Sequence, residues 1–149
     1  MRFFLITLTV VFCVATSAHA NDALVVKTSP HSVSKTLDKL EAIFKKKGIT
    51  VFARIDHAAG AAKVGVKMLA TQLLIFGNPK LGTPLMQSQR KIGLALPLKV
   101  LAWESDGKVK IAYTKPTLLA KQYNVVDRDK VFAKMAGALD KLTNAAIKP

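Results

Sequence analysis

The chain has 149 residues, enough for one ordinary domain, and carries 23 Lys and Arg against nine Asp and Glu, a formal charge of +14. Its lone cysteine excludes an internal disulfide and a Cys-ligated zinc site. Such a charge attracts nucleic acid, but the lysines are dispersed, no Arg-rich helix is present, and aromatics do not alternate with basic residues as on a stacking platform. The composition therefore predicts a solvated basic surface with weak attraction to an anionic envelope surface, and argues against a nucleic-acid partner.

Residues 1–20 read as a cleaved signal peptide. Arg2 supplies a positive start, residues 3–14 form an apolar core broken by Thr7 and Thr9, and Ala18-His19-Ala20 places cleavage before Asn21. The apolar run falls short of the roughly 20 residues that span a bilayer, so a periplasmic or secreted protein is expected rather than an anchored one. Cys13 departs with the signal, which leaves the mature chain without a thiol. Residues 21–149 contain no linker, repeat or break in composition, and are expected to form a single α+β domain.

Along that domain, residues 24–28 read as a strand and Ser29-Pro30-His31-Ser32 as the punctuation before a helix ending near residue 47. Val33, Leu37, Leu40 and Phe44 recur on one face of that helix, and Gly48 after three lysines suits its end. Residues 49–55 form a second strand, and Asp56 caps a short Ala-rich helix over residues 57–66. Residues 71–76 form a third strand, whose unbroken apolar run argues for burial on both faces or a central position. Thr83-Pro84 is read as an N-cap and first helical residue, opening a helix to about residue 92.

Residues 98–103 and 108–113 flank Asp106-Gly107, a strong hairpin signal. Residues 116–122 form a short helix. A last helix starts at residue 127, with Val131, Met135, Leu139 and Leu142 on one face beside Phe132 and Ala138. Strands joined partly by helices and partly by a tight hairpin predict an α+β layer with a mainly antiparallel sheet.

Six ordered blocks then stand out. They are Gly48-Ile49-Thr50-Val51-Phe52, Ile55-Asp56-His57-Ala58-Ala59-Gly60-Ala61, Phe76-Gly77-Asn78-Pro79-Lys80, Gly82-Thr83-Pro84-Leu85-Met86, Leu96-Pro97-Leu98-Lys99-Val100 and Ala112-Tyr113. Together they closely resemble the family catalogued as domain of unknown function 302, over essentially the whole mature chain. The resemblance implies a curved sheet with helices packed on one face, like half of the TATA-binding-protein architecture, and a tendency to form homodimers. It implies no catalytic residues.

Two strand ends carry the candidate chemistry. Asp56-His57 follows the second strand, but neighbouring side chains diverge, so a direct carboxylate–imidazole dyad is not expected. Two histidines in the mature chain and no cysteine offer too few ligands for a zinc or copper site. The segment Gly77-Asn78-Pro79-Lys80-Leu81-Gly82-Thr83-Pro84 has the strand–loop–helix order of a phosphate loop without the Walker residues. No cofactor is implied.

If the two strand ends meet, His57, Asn78, Thr83, Gln87 and Arg90 would surround a small polar or acidic ligand, with Met68, Phe76 and Met86 as its apolar wall. The expectation is a non-enzymatic module that dimerises and binds a small ligand or a partner protein. The alternative is an enzyme using His57 as acid/base, with Asn78 or Thr83 positioning the substrate.

Overall fold

The apolar face of the first long helix sets the plan of the molecule. Val33, Thr36, Leu37, Leu40 and Phe44 all lie on the buried side of α1 (Val33–Lys46). The side chain of Ser32 caps α1 by accepting from the Lys35 N–H, and Gly48 at φ 65° turns the chain away after it. Burying a residue such as Leu37 or Leu40 contributes about 1.5–3 kcal/mol, and this face needs a sheet to cover it.

The computed structural model describes residues 23–149, and the signal peptide expected over residues 1–20 lies outside them. The sheet is built from β1 (Leu24–Ser29), β2 (Thr50–Asp56), β3 (Thr71–Gly77), β4 (Leu98–Ser105) and β5 (Lys108–Thr114) in the order β1-β5-β4-β3-β2. Every neighbouring pair is antiparallel. The β4–β5 hairpin turns on Asp106 and Gly107, both at positive φ, as a type I′ turn demands. The open α+β sheet is as expected.

One face of the sheet presents Leu74, Phe76, Val100, Ala102, Ile111 and Tyr113, which form the core with α1 and α5 (Asp129–Ala146). Phe44 and Phe76 meet with ring centroids 4.3 Å apart. From α5 the core takes Phe132, Met135 and Leu139, together with buried Thr143 and Ala146. Val131 and Leu142, expected to line that face with Met135 and Leu139, are partly buried and pack against the core. Helix α4 (Pro116–Gln122) adds Leu119 to the core.

Two helix boundaries differ from expectation. α2 (His57–Lys63) stops early because Gly65 takes φ 74° and the Val66 N–H returns to the Ala61 carbonyl. α3 (Pro79–Ser88) begins four residues before the expected cap at Thr83. Asn78-Pro79 supplies the same cap-and-proline signal upstream, and the N–H groups of Leu81 and Gly82 already bond to the Asn78 carbonyl. Pro84 therefore sits inside the helix, and a 3₁₀ turn at Arg90–Leu94 follows.

Candidate functional site

The end of β3 and the start of α3 are fixed by one side chain. Asn78 Oδ1 accepts from the Lys80 N–H at 2.9 Å, satisfying one of the donors that a helix N-terminus leaves free. Just before it, Gly77 allows a close approach. A Cβ at that position would lie 3.3 Å from Cε2 of Phe52 and 3.5 Å from Cβ of Pro97. The helix launched here carries Leu81, Gly82, Thr83 and Met86 along one side of a cleft of about 910 Å³.

The facing side of the cleft is α5. Lys134, Ala138, Lys141, Leu142 and Ala145 line it at helical spacing, beside Met135 and Leu139 from the core stripe. Small residues at 138 and 145 keep this stretch from filling the space between the helices. Ile43 and Lys47 from the end of α1, Ile49, Phe52, and the Leu96-Pro97-Leu98 segment with its cis Leu96–Pro97 bond complete the lining. The walls are mostly apolar, and Phe52 is 57 % exposed. Among the described residues, the charged ones lining the cleft are Lys47, Lys134 and Lys141, with no Asp or Glu.

A second depression of about 460 Å³ has a different character, with Asp38, Glu41 and Lys45 beside Ala42, Ile49 and Val51. Its charges serve the scaffold. Arg54 Nη1 lies 2.6 Å from Asp38 Oδ1 and 3.3 Å from Glu41 Oε1, and Arg54 Nη2 donates to Gln72 Oε1 at 2.7 Å. Gln72 in turn donates to Asp56 Oδ2 at 3.0 Å. Asp56 also accepts from the Ala59 N–H at 2.8 Å, capping α2 as expected. That backbone bond, helped by Gln72, the Ala58 N–H and Arg54 against some desolvation, lowers the Asp56 pKa below its usual value.

The two strand ends expected to meet do not. Asp56 pairs with Gln72 at one end of the β2–β3 ladder, and Gly77 pairs with Thr50 at the other. Six residues at about 3.4 Å each separate the corners by roughly 20 Å. His57 is exposed at the far end, away from Asn78 and Thr83, which both line the cleft. Gln87 and Arg90 are exposed and outside the lining, as is Met68, whereas Phe76 and Met86 belong to it. The proposed acid/base role of His57 with Asn78 or Thr83 is therefore corrected by the antiparallel register.

Among the described residues, no three His, Cys, Asp or Glu side chains converge as a metal-holding group. The lysines of the cleft do not stand out from the dispersed charge of the chain. The signal that finds them is the second stripe on α5, spaced like the core stripe and adjacent to it.

The family model "Domain of unknown function DUF302" matches residues 25–142, nearly all of the folded region. The chain belongs to this family. A crystal structure of an uncharacterized conserved DUF302 protein from Bacillus stearothermophilus matches with a TM-score of 0.68 over 83 % of this chain and 94 % of that one. At 21 % identity, that likeness shows the shared DUF302 fold.

Over 106 residues, 70 % of its length, the chain is 44 % identical to proteins named fluoride-specific ion channel FluC 1 from Brucella suis and Brucella abortus. It spans only 42 % and 39 % of those relatives' own lengths. No helix among the described residues of this DUF302 domain is long and apolar enough to cross a membrane.

Proposed function

We propose that this DUF302 protein is an exported, non-enzymatic binding module whose cleft between α3 and α5 takes a small, largely apolar ligand. The cleft carries the reading: at about 910 Å³ it falls within the usual range for small-molecule sites, roughly 300–1,000 Å³, and it has their mostly apolar lining. Asn78 and Thr83 supply the few polar groups that orient a guest. The test is ligand-dependent melting, since a ligand at about 100 times its dissociation constant stabilises the fold by roughly 2.7 kcal/mol. A panel of apolar and amphiphilic compounds that leaves the melting temperature unchanged would falsify this reading.

The ion-channel name of the Brucella relatives supports a module that works near a membrane, with export resting on the signal-like residues 1–20. It does not make fluoride the guest of this cleft. A small, strongly hydrated anion loses its hydration in a mostly apolar space without full replacement.

A second observation favours a homodimer. The sheet face opposite α1 and α5 carries Leu24, Val26 and Ile55, about 40 % exposed, around Leu73, Leu101 and Trp103. Another copy of the same face is the occupant proposed here. It matches the apolar residues of this face, which also carries Lys99 and Lys110, in an isologous contact.

A further inference from the structure

Building on the cleft as a ligand site, we propose that its guest is a single-chain anionic amphiphile, a fatty acid, whose carboxylate is held by lysines at the rim while its tail lies along the apolar walls. Two features of the cleft carry this together. Its lining is mostly apolar and partly open to solvent, as an acyl chain requires, and among the described residues all of its charged lining residues have one sign. That bias does not merely repeat the basic composition of the chain, because the neighbouring depression contains Asp38 and Glu41 beside Lys45.

The lysines are placed for this work. Lys134 and Lys141 are two helical turns apart on the same stripe of α5, roughly 10 Å along the axis at about 1.5 Å per residue, and Lys47 ends α1 nearby in the same lining. All three are exposed, and no ion pair with an acidic side chain is found for them among the described residues. An ammonium at the mouth of an apolar cleft keeps its hydration until an anion arrives, while its methylene stem adds to the wall. A carboxylate gains charge-assisted hydrogen bonds there, and its tail removes the Phe52 and Met86 surface from water.

The experiment compares three chains of equal length, laurate, dodecylamine and dodecanol, on protein expressed from the whole sequence and stripped of lipid. Calorimetric titration and melting shifts are the readouts. Laurate is expected to bind more tightly than dodecanol and far more tightly than dodecylamine. The double variant Lys134→Glu/Lys141→Glu should weaken laurate by on the order of tenfold or more and improve dodecylamine. Lys134→Gln/Lys141→Gln should give the intermediate result without reversing charge.

Ala138→Trp, which fills the cleft from its rim, should abolish binding of all three. If laurate binds the charge variants as well as the wild type, the head-group assignment is overturned while an apolar cleft stands. If Ala138→Trp, still folded by circular dichroism, leaves laurate and dodecanol binding intact, the cleft reading itself fails. If Ala138→Trp dissociates a dimer instead, the groove is an interface between copies and the fatty-acid proposal falls.

Discussion

Lys27 on the first strand reaches Asp140 on the last helix, with Nζ 2.7 Å from Oδ1. The same ammonium also meets Thr143 Oγ1 at 2.8 Å and Asn144 Oδ1 at 2.7 Å. Its side chain is only 13 % exposed, so these acceptors replace water for a largely buried charge. The contact joins the edge strand to α5, the helix that also forms one wall of the cleft.

Replacing Lys27 by Met should lower stability by about 1.5–3 kcal/mol, the range for losing hydrogen bonds to a charged group. Asp140→Ala should cost less, because Asp140 is 56 % exposed and solvent screens its charge, while Lys27 keeps Thr143 and Asn144. Urea unfolding checks both, with the midpoint expected to fall and the slope to stay constant. A larger loss for Asp140→Ala than for Lys27→Met would contradict this account.

Stability should fall in acid through two identified carboxylates. Asp56 is held below its usual pKa chiefly by the Ala59 N–H, and Asp127 chiefly by the Ser88 hydroxyl, with Arg128 assisting. A depressed carboxylate contributes stability above its unfolded pKa, near 3.8 here, and loses it as pH falls through the folded value. Asp56→Asn and Asp127→Asn should each flatten the acid limb of a stability–pH curve and leave its neutral-to-alkaline shape unchanged. An acid limb as steep in both variants as in the wild type would refute the assignment.

At the alkaline end the sign reverses. Burial, followed by the negative charge of Asp140, raises the Tyr113 pKa above 10.0, so the phenol is held neutral in the fold. Its contribution is complete below the unfolded value and is lost as pH rises through the folded one. Tyr113→Phe should therefore soften the loss of stability above about pH 10, the ordinary tyrosine range, as read by chemical unfolding across that interval.

Local chemistry made most elements legible. Asp106-Gly107 marks its hairpin because both residues adopt positive φ, and Val33, Leu37, Leu40 and Phe44 declare a helix face that the core then uses. The start of α3 was less legible because Asn78-Pro79 and Thr83-Pro84 carry the same signal five residues apart. The upstream pair captured the helix, and the N–H that Pro84 lacks would have pointed back toward exposed Lys80. The site was only half legible. Asn78, Thr83, Phe76 and Met86 do share a cleft, but strand direction and order are tertiary facts, and C-terminal ends of adjacent antiparallel strands lie apart. The Lys134 and Lys141 side of the cleft was marked by the second stripe on α5, but which neighbour that stripe would face is a tertiary fact.

Because His57 stands at the far end of β2, His57→Ala should leave both stability and laurate-induced melting shifts essentially unchanged. An exposed substitution of this kind ordinarily stays within about 0.5 kcal/mol. Sodium fluoride, matched against sodium chloride for ionic strength, should likewise give no specific melting shift. A fluoride-dependent shift abolished by Ala138→Trp would move the ligand assignment from an amphiphile to the halide.

The exposed sheet face provides the last prediction, because its geometry separates dimerisation from ligand binding. Leu101 sits opposite both Leu73 and Ala112, at the centre of the face away from α1 and α5, whereas the cleft lies between α3 and α5. A stable interface typically buries about 800 Å² per partner, which requires most of this apolar face and places Leu101 near its middle. A lysine there in each copy would add a dehydrated charge at the apolar centre of a face that already carries Lys99 and Lys110, and a two-fold axis repeats the penalty. Leu101→Lys should therefore shift the sedimentation profile from dimer to monomer and weaken with dilution any assembly that remains. Its laurate affinity should match the wild type, since no cleft residue is altered. A wild-type chain that sediments as a monomer at high concentration would remove the homodimer, and a Leu101→Lys dimer of undiminished strength would place the contact on another surface.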